Sequence, residues 1–143
     1  MSKALRQWQT THSLATRGRG FYDLGDVLRS AVEKSGIATG LVHVFLRHTS
    51  ASLLITENAD PDVRGDLETV ISRLGPDGDP AYRHVLEGPD DMAAHVRAAL
   101  TLTELSVPVR DGRLALGTWQ GVYLWEHRHR AHRREVEISI LGE

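Results

Sequence analysis

The chain has 143 residues, of which 41% are hydrophobic and 25% charged, with a formal net charge of -2 and no cysteine. The absence of cysteine excludes disulfides, thiolate nucleophiles and cysteine zinc sites, and the near balance of charge leaves no footprint for nucleic acid or an anionic membrane. No apolar run approaches the ~20 residues of a membrane helix, and the first residues lack a signal-peptide core, so one cytoplasmic domain over 1–143 is expected.

In chain order, segment 5–14 is polar but strand-like. A helix is predicted over about 23–36, where Leu24, Val27, Leu28 and Ala31 recur at helical spacing. Asp23 suits its start and Gly36 its stop. Two strands are predicted at about 40–47 and 50–57. The segment after Asp60 repeats apolar residues at Val63, Leu67, Val70, Ile71 and Leu74, with Pro61 at a favoured first-turn position. That predicts a second helix over 61–74. Residues 75–89 are dense in Gly, Pro and Asp and long for a connection, which favours a functional loop. A third helix is predicted over about 90–101, with Asp90 as its cap. Beyond it, alternation at Val107 and Val109, the Asp111–Gly112 pair, and alternation at Leu114 and Leu116 predict a hairpin. Further strands follow around Val122 and Leu124 and over Val136, Ile138 and Ile140. Strands and helices first, then an antiparallel meander, read as an α+β chain.

Three polar motifs interrupt these elements. The first is His48-Thr49-Ser50-Ala51-Ser52 with Glu57, Asn58 and Asp60. Turn and cap chemistry competes for Asn58 and Asp60, whereas His48 and Glu57 follow apolar runs and need partners if buried. The second contains Tyr82, His84, Glu87, Asp90, Asp91 and His95. Asp91 and His95 are four apart and share a helix face, and two histidines with a carboxylate meet the minimum for an open divalent-metal site. A surface Asp–His pair is the plainer reading. The third is Gly117-Thr118-Trp119-Gln120-Gly121, then Glu126 and the basic run 127–134. A solvated hairpin loop is the favoured reading of that run. The sharper one is an anion site with Arg133 as bidentate donor. The sequence contains no G-x-S-x-G elbow, P-loop or G-x-G-x-x-G.

The stretches HTSASLLITENADPDVRGDLE, YRHVLEGPDDMAAH and PVRDGRLALGTWQGVYLWEHR, with the Arg133–Arg134 pair, resemble the YjbQ family over about residues 5–142. The resemblance implies a compact β-sandwich of mainly antiparallel strands with about three flanking helices, a homotrimer, and secondary thiamine-phosphate synthase activity. That reaction joins a pyrimidine pyrophosphate to a thiazole phosphate and releases pyrophosphate. His48, Thr49, Ser50, Glu57, Asn58 and Asp60 match the family's first polar block. His84, Asp91, Met92 and His95 match the second, and Trp119, Gln120, Glu126 and Arg133 the third. One departure is Leu102 where the family has glycine and Glu104 where it has serine.

The expected site follows. His48, His84 and His95 converge on a divalent metal, zinc or magnesium. Glu57, Asp91 and Arg133 act in catalysis, as proton carriers, orienters and anion holder. Thr49, Ser50, Asn58, Trp119, Gln120 and Glu126 hold a phosphorylated small molecule. The competing expectation is a non-catalytic trimer that binds a metal or phosphometabolite.

Overall fold

The computed structural model describes residues 4–143. The chain order is β1 (Arg6–Ala15), β2 (Gly20–Asp23), α1 (Gly25–Ser35), β3 (Gly40–Leu46), β4 (Ala51–Glu57), α2 (Pro61–Leu74), α3 (Asp91–Ala99), β5 (Glu104–Arg110), β6 (Arg113–Leu114), β7 (Gln120–Glu126) and β8 (Arg133–Gly142). This is an α+β fold with two antiparallel sheets, ordered β1-β8-β3-β5-β6 and β2-β7-β4.

The three predicted helices form, each slightly shorter than or equal to its expected span. Asp23 Oδ1 accepts from the Gly25 N–H at 2.7 Å, and Gly36 ends α1 at φ 67, a left-handed conformation that glycine adopts without a steric penalty. Asp60 caps α2 by accepting from the Asp62 N–H. Asp90 does not cap α3, because its carboxylate is drawn to Arg128 and the His129 backbone. The Asp111–Gly112 turn has φ 53 and 73, the double positive φ of the predicted two-residue hairpin.

The final strands do not form a meander. β7 leaves for the second sheet, and β8 inserts between β1 and β3. The burial patterns give the reason. Val122 through Glu126 are all buried, which suits the central strand of a covered sheet. β8 alternates instead, burying Val136, Ile138 and Ile140 against the core. The core lies between the sheets and under α1. It is built from Leu24 and Leu28, Val42, Val44 and Leu46, Val107 and Val109, Val122 and Leu124, and the β8 set.

Gly40 and Gly142 pair across β3 and β8. A Cβ on Gly40 would sit 2.1 Å from the Leu141 carbonyl oxygen, so glycine is required for this backbone approach.

Candidate functional site

Helix α3 packs on β4 and carries Asp91 and His95 on one face, as their four-residue spacing dictates. The 75–90 loop returns His84 to the same place. His84 Nε2 lies 2.6 Å from Asp91 Oδ2, and His95 Nε2 lies 3.2 Å from the same oxygen. One ligand atom from each of the three residues falls within 4.8 Å of the other two. Glu87 Oε2 is 3.3 Å from His84 Nε2. The His84 and His95 side chains are 49% and 31% exposed and that of Asp91 is 4% exposed, so the cluster has a buried carboxylate floor and an open mouth.

The surroundings orient each group. His95 Nδ1 donates to the Thr49 carbonyl oxygen at 3.1 Å, which leaves Nε2 toward Asp91. Arg128 Nη1 donates to Asp91 Oδ1 at 2.7 Å, and its Nε donates to Asp90 Oδ2 at 3.0 Å. Burial works against the Asp91 charge, yet the His84 hydrogen bond and the positive charge of Arg128 hold its carboxyl below the usual carboxylate range. Asp77 accepts from Arg19 through both oxygens and lies 2.9 Å from His129 Nε2. These contacts pin the loop that delivers His84. Burial opposes ionisation of Asp77, but the hydrogen bonds from Arg19 and His129 lower its pKa to about 2.

Several expected members lie elsewhere. His48 does not join His84 and His95. Its Nε2 accepts from the Glu135 N–H at 2.8 Å and its Nδ1 faces Arg134 at 3.4 Å. Burial, then the Arg134 charge, lowers its pKa, which suits an imidazole that accepts a backbone hydrogen bond. Asp91 takes the third place instead. Glu57 Oε2 accepts from the Ala59 and Asp60 N–H groups, closing the turn into α2 at the far end of β4. Arg133 is exposed and donates to Ser13 Oγ; the arginine at the cluster is Arg128.

Glu126 is fully buried. It accepts from Thr16, from the His127 and Arg128 N–H groups and from Arg134 through both its oxygens. It is a structural node with no surface toward a ligand. Ser50 joins the same node by accepting from Arg134, and Thr49 contributes its carbonyl to His95. Asn58 donates to the Thr118 and Gln120 carbonyls, Gln120 accepts from the Gly117 N–H, and Trp119 is 62% exposed.

The basic run is a solvated loop only in its middle, where His129, Arg130 and Arg133 are exposed. His127, Arg128 and Arg134 are buried; the two arginines neutralise Asp90, Asp91 and Glu126, while the uncharged His127 ring meets Ser52 Oγ. The signal was the match in charge between Asp90-Asp91 and the run, which no sequence spacing aligned. Arg97 also escaped notice. It is 1% exposed on α3, donates to the Gly75 carbonyl and to Glu68, and Glu68 in turn accepts from Trp125 Nε1. Leu102 bridges to Leu53, while Glu104 lies beside His43 at 3.2 Å, so Glu104 faces away from the cluster.

The comparisons agree with this architecture. The family model described as UPF0047 protein YjbQ-like matches residues 10–143. A UPF0047 protein of Synechocystis is 51% identical over 138 residues, covering 96% of this chain and 94% of its own. The YjbQ protein of Salmonella typhimurium is 42% identical, covering 95% and 99%. A crystal structure from Sulfolobus solfataricus superposes with a TM-score of 0.88 at 28% identity, covering 98% of this chain and 100% of its own. One from Clostridium acetobutylicum gives 0.84 at 35% identity, covering 92% and 98%. With the family model matching nearly the whole chain, this protein belongs to the YjbQ-like UPF0047 family.

Proposed function

We propose that the chain is a metal-assisted enzyme acting on pyrophosphorylated small molecules, with the thiamine-phosphate synthase reaction as its activity. The observation that carries this reading is the His84–Asp91–His95 trio. Tetrahedral zinc with bonds of about 2.0–2.1 Å separates its ligand atoms by roughly 3.3 Å, close to the 3.2 Å between His95 Nε2 and Asp91 Oδ2, whereas the 2.6 Å between His84 Nε2 and Asp91 Oδ2 is a direct hydrogen bond that an ion would open. The Thr49 carbonyl on the other nitrogen of His95 and Arg128 on the other oxygen of Asp91 are the outer partners that orient ligating groups. Three protein donors and a half-exposed mouth leave a position for a phosphate oxygen; the two imidazoles favour zinc, and magnesium would be held through the oxygens of Asp91 and Glu87 alone.

His84, Asp91 and His95 would hold a divalent ion there, and that ion would supply charge stabilisation for a departing pyrophosphate. In the reaction the pyrimidine methylene carbon loses its bond to the pyrophosphate oxygen and gains one to the thiazole nitrogen. The electron pair of the broken bond leaves with pyrophosphate, so no protein nucleophile is required. The chain's part is to hold the ion, keep Asp91 ionised and align the two substrates.

A homotrimer belongs to the same reading. Leu41 and Leu141 face each other across β3 and β8 and are 44% and 47% exposed, with Phe45 on the same strand at 40%, an apolar face that association would cover. Light scattering at three times the 15.9 kDa chain mass is the expected result.

The second reading, a non-catalytic trimer that binds a metal or phosphometabolite, is favoured by one observation. Arg128 and Arg134 are both engaged by buried carboxylates, so neither of these two cations is free for a phosphate. The deciding experiment supplies the pyrimidine pyrophosphate and thiazole phosphate to the wild type, the chelator-treated protein and His95→Ala. Thiamine phosphate and pyrophosphate appearing together, and falling at least about 100-fold in His95→Ala, support the enzyme. Bound pyrophosphate without product supports the second reading.

A further inference from the structure

At the opposite end of β4 from His84 and His95 lies a cleft of about 560 Å³ between α1, the β5–β6 hairpin and the segment leading into β7. Thr49 precedes β4 and touches His95, whereas Asn58 follows β4 and lines the cleft. Seven strand residues at about 3.3 Å each put roughly 20 Å between the two places, so a small molecule in the cleft does not reach the histidine cluster of the same chain. The volume falls in the range of small-ligand sites.

The floor is apolar, formed by Val32, Leu114 and Leu116. Two amides stand at one wall, each fixed by its other end. Asn58 Nδ2 donates to the Thr118 and Gln120 carbonyls, and Gln120 Oε1 accepts from the Gly117 N–H at 2.8 Å. Among the described residues no hydrogen bond uses Asn58 Oδ1 or Gln120 Nε2, so one fixed acceptor and one fixed donor remain. Two cations stand at the rim. Arg113 has no ion pair among the described residues. Among the described residues Arg29 pairs only with the highly exposed Asp26 three residues back, a pair too weak to immobilise it. Glu33 is the single carboxylate of the lining.

We propose that this cleft is a binding site for a small organic anion with a flat apolar body, an edge bearing both a hydrogen-bond donor and acceptor, and a phosphate or carboxylate group. The ring lies on Val32, Leu114 and Leu116. The edge meets Asn58 Oδ1 and Gln120 Nε2, and the anionic group meets Arg113 and Arg29. Preorganised amides make such a site selective, since an analogue lacking the polar edge leaves them unpaired. The proposal does not depend on a metal at His84 and His95.

The test uses 4-carbamoylphenyl phosphate on the full chain in its native assembly, followed by calorimetry and by amide NMR. Phenyl phosphate, benzamide and inorganic phosphate serve as comparisons. The expected result is saturable binding that shifts Gly112, Gly117 and the Gln120 side chain, and that each comparison compound reproduces only weakly. Gln120→Glu keeps the oxygen that accepts from Gly117 and replaces the donor with a negative oxygen, so affinity falls about tenfold or more. Arg113→Ala, an exposed change, weakens binding several-fold, and a carboxylate analogue shows whether the anion must be phosphate. His95→Ala leaves affinity unchanged. Absence of saturable shifts at millimolar probe, equal binding of inorganic phosphate, indifference to both cleft substitutions, or loss of binding in His95→Ala would each overturn the proposal.

Discussion

Arg128 and Asp91 are joined by a 2.7 Å hydrogen bond from Nη1 to Oδ1, on the carboxylate oxygen opposite the one that faces His84 and His95. A buried arginine thus fixes the direction in which a buried carboxylate presents its free oxygen. The same guanidinium holds Asp90 and the Glu87 carbonyl, so it ties the His84 loop to the loop between β7 and β8.

Arg128→Met is expected to weaken divalent-metal binding by about 10- to 100-fold, the usual cost of losing an outer partner of a ligand. It is also expected to lower stability by about 3–5 kcal/mol, because two buried carboxylates lose their counter-ion. Calorimetric metal titration together with urea unfolding measures both. Unchanged metal affinity in a folded Arg128→Met protein would show that Asp91 needs no such orientation.

Glu126 and Arg134 make the second prediction. Glu126→Ala leaves Arg134 buried without its charge partner and is expected to cost about 3–5 kcal/mol, roughly 10 °C or more in Tm. Glu126→Leu combined with Arg134→Met recovers a large part of that loss. Arg133→Ala, on the exposed neighbour, stays within about 0.5 kcal/mol. Thermal melts of the four proteins decide it. A Glu126→Ala protein as stable as the wild type would remove Glu126 from its structural role.

The third prediction is a pH dependence. His127 is fully buried, and its Nε2 lies 2.8 Å from Ser52 Oγ. Burial, then the Arg97 charge, pushes its pKa down to about 3 from the ordinary 6.5. The folded chain therefore keeps this ring neutral where the unfolded chain protonates it. Its contribution to stability is complete above pH about 6.5 and is lost as pH falls toward about 3, at up to about 1.4 kcal/mol per pH unit. Asp77, Asp90, Asp91 and Glu126, whose pKa values are lowered, act in the same direction at lower pH. Urea unfolding between pH 7 and about pH 5 should show a shallower slope for His127→Gln than for the wild type. Equal slopes would mean that His127 titrates normally in the fold.

Much of the fold was legible because local chemistry and tertiary packing agree. Asp60 and Pro61 start α2, Gly36 ends α1, and Asp111–Gly112 turns the hairpin as their backbone preferences dictate. β2 was not foreseen, since Gly20–Asp23 is short and has no alternation, and its place comes from pairing with β7. The meander failed because strand order is set by which faces need cover, and that depends on residues far apart in the chain. The site followed the same division. His84, Asp91 and His95 were legible because helical spacing and one loop bring them together. His48, Glu57, Glu126 and Arg133 were misplaced because a polar residue at a strand end has the same sequence signature whether it binds a ligand or satisfies a neighbouring backbone group. Arg128 was hidden in a run of like charges whose partners lie 37 and 38 residues away.

The most direct measurement is the metal content and affinity of protein purified without a histidine tag, for the wild type, His84→Ala, His95→Ala, Asp91→Asn and His48→Ala. The expected result is about one divalent ion bound per chain in the wild type, zinc or magnesium, from three protein ligands with an open position. His84→Ala, His95→Ala and Asp91→Asn each lose it, while His48→Ala retains it. Equal and negligible metal in all five proteins, or loss in His48→Ala with retention in Asp91→Asn, would contradict a centre built on His84, Asp91 and His95.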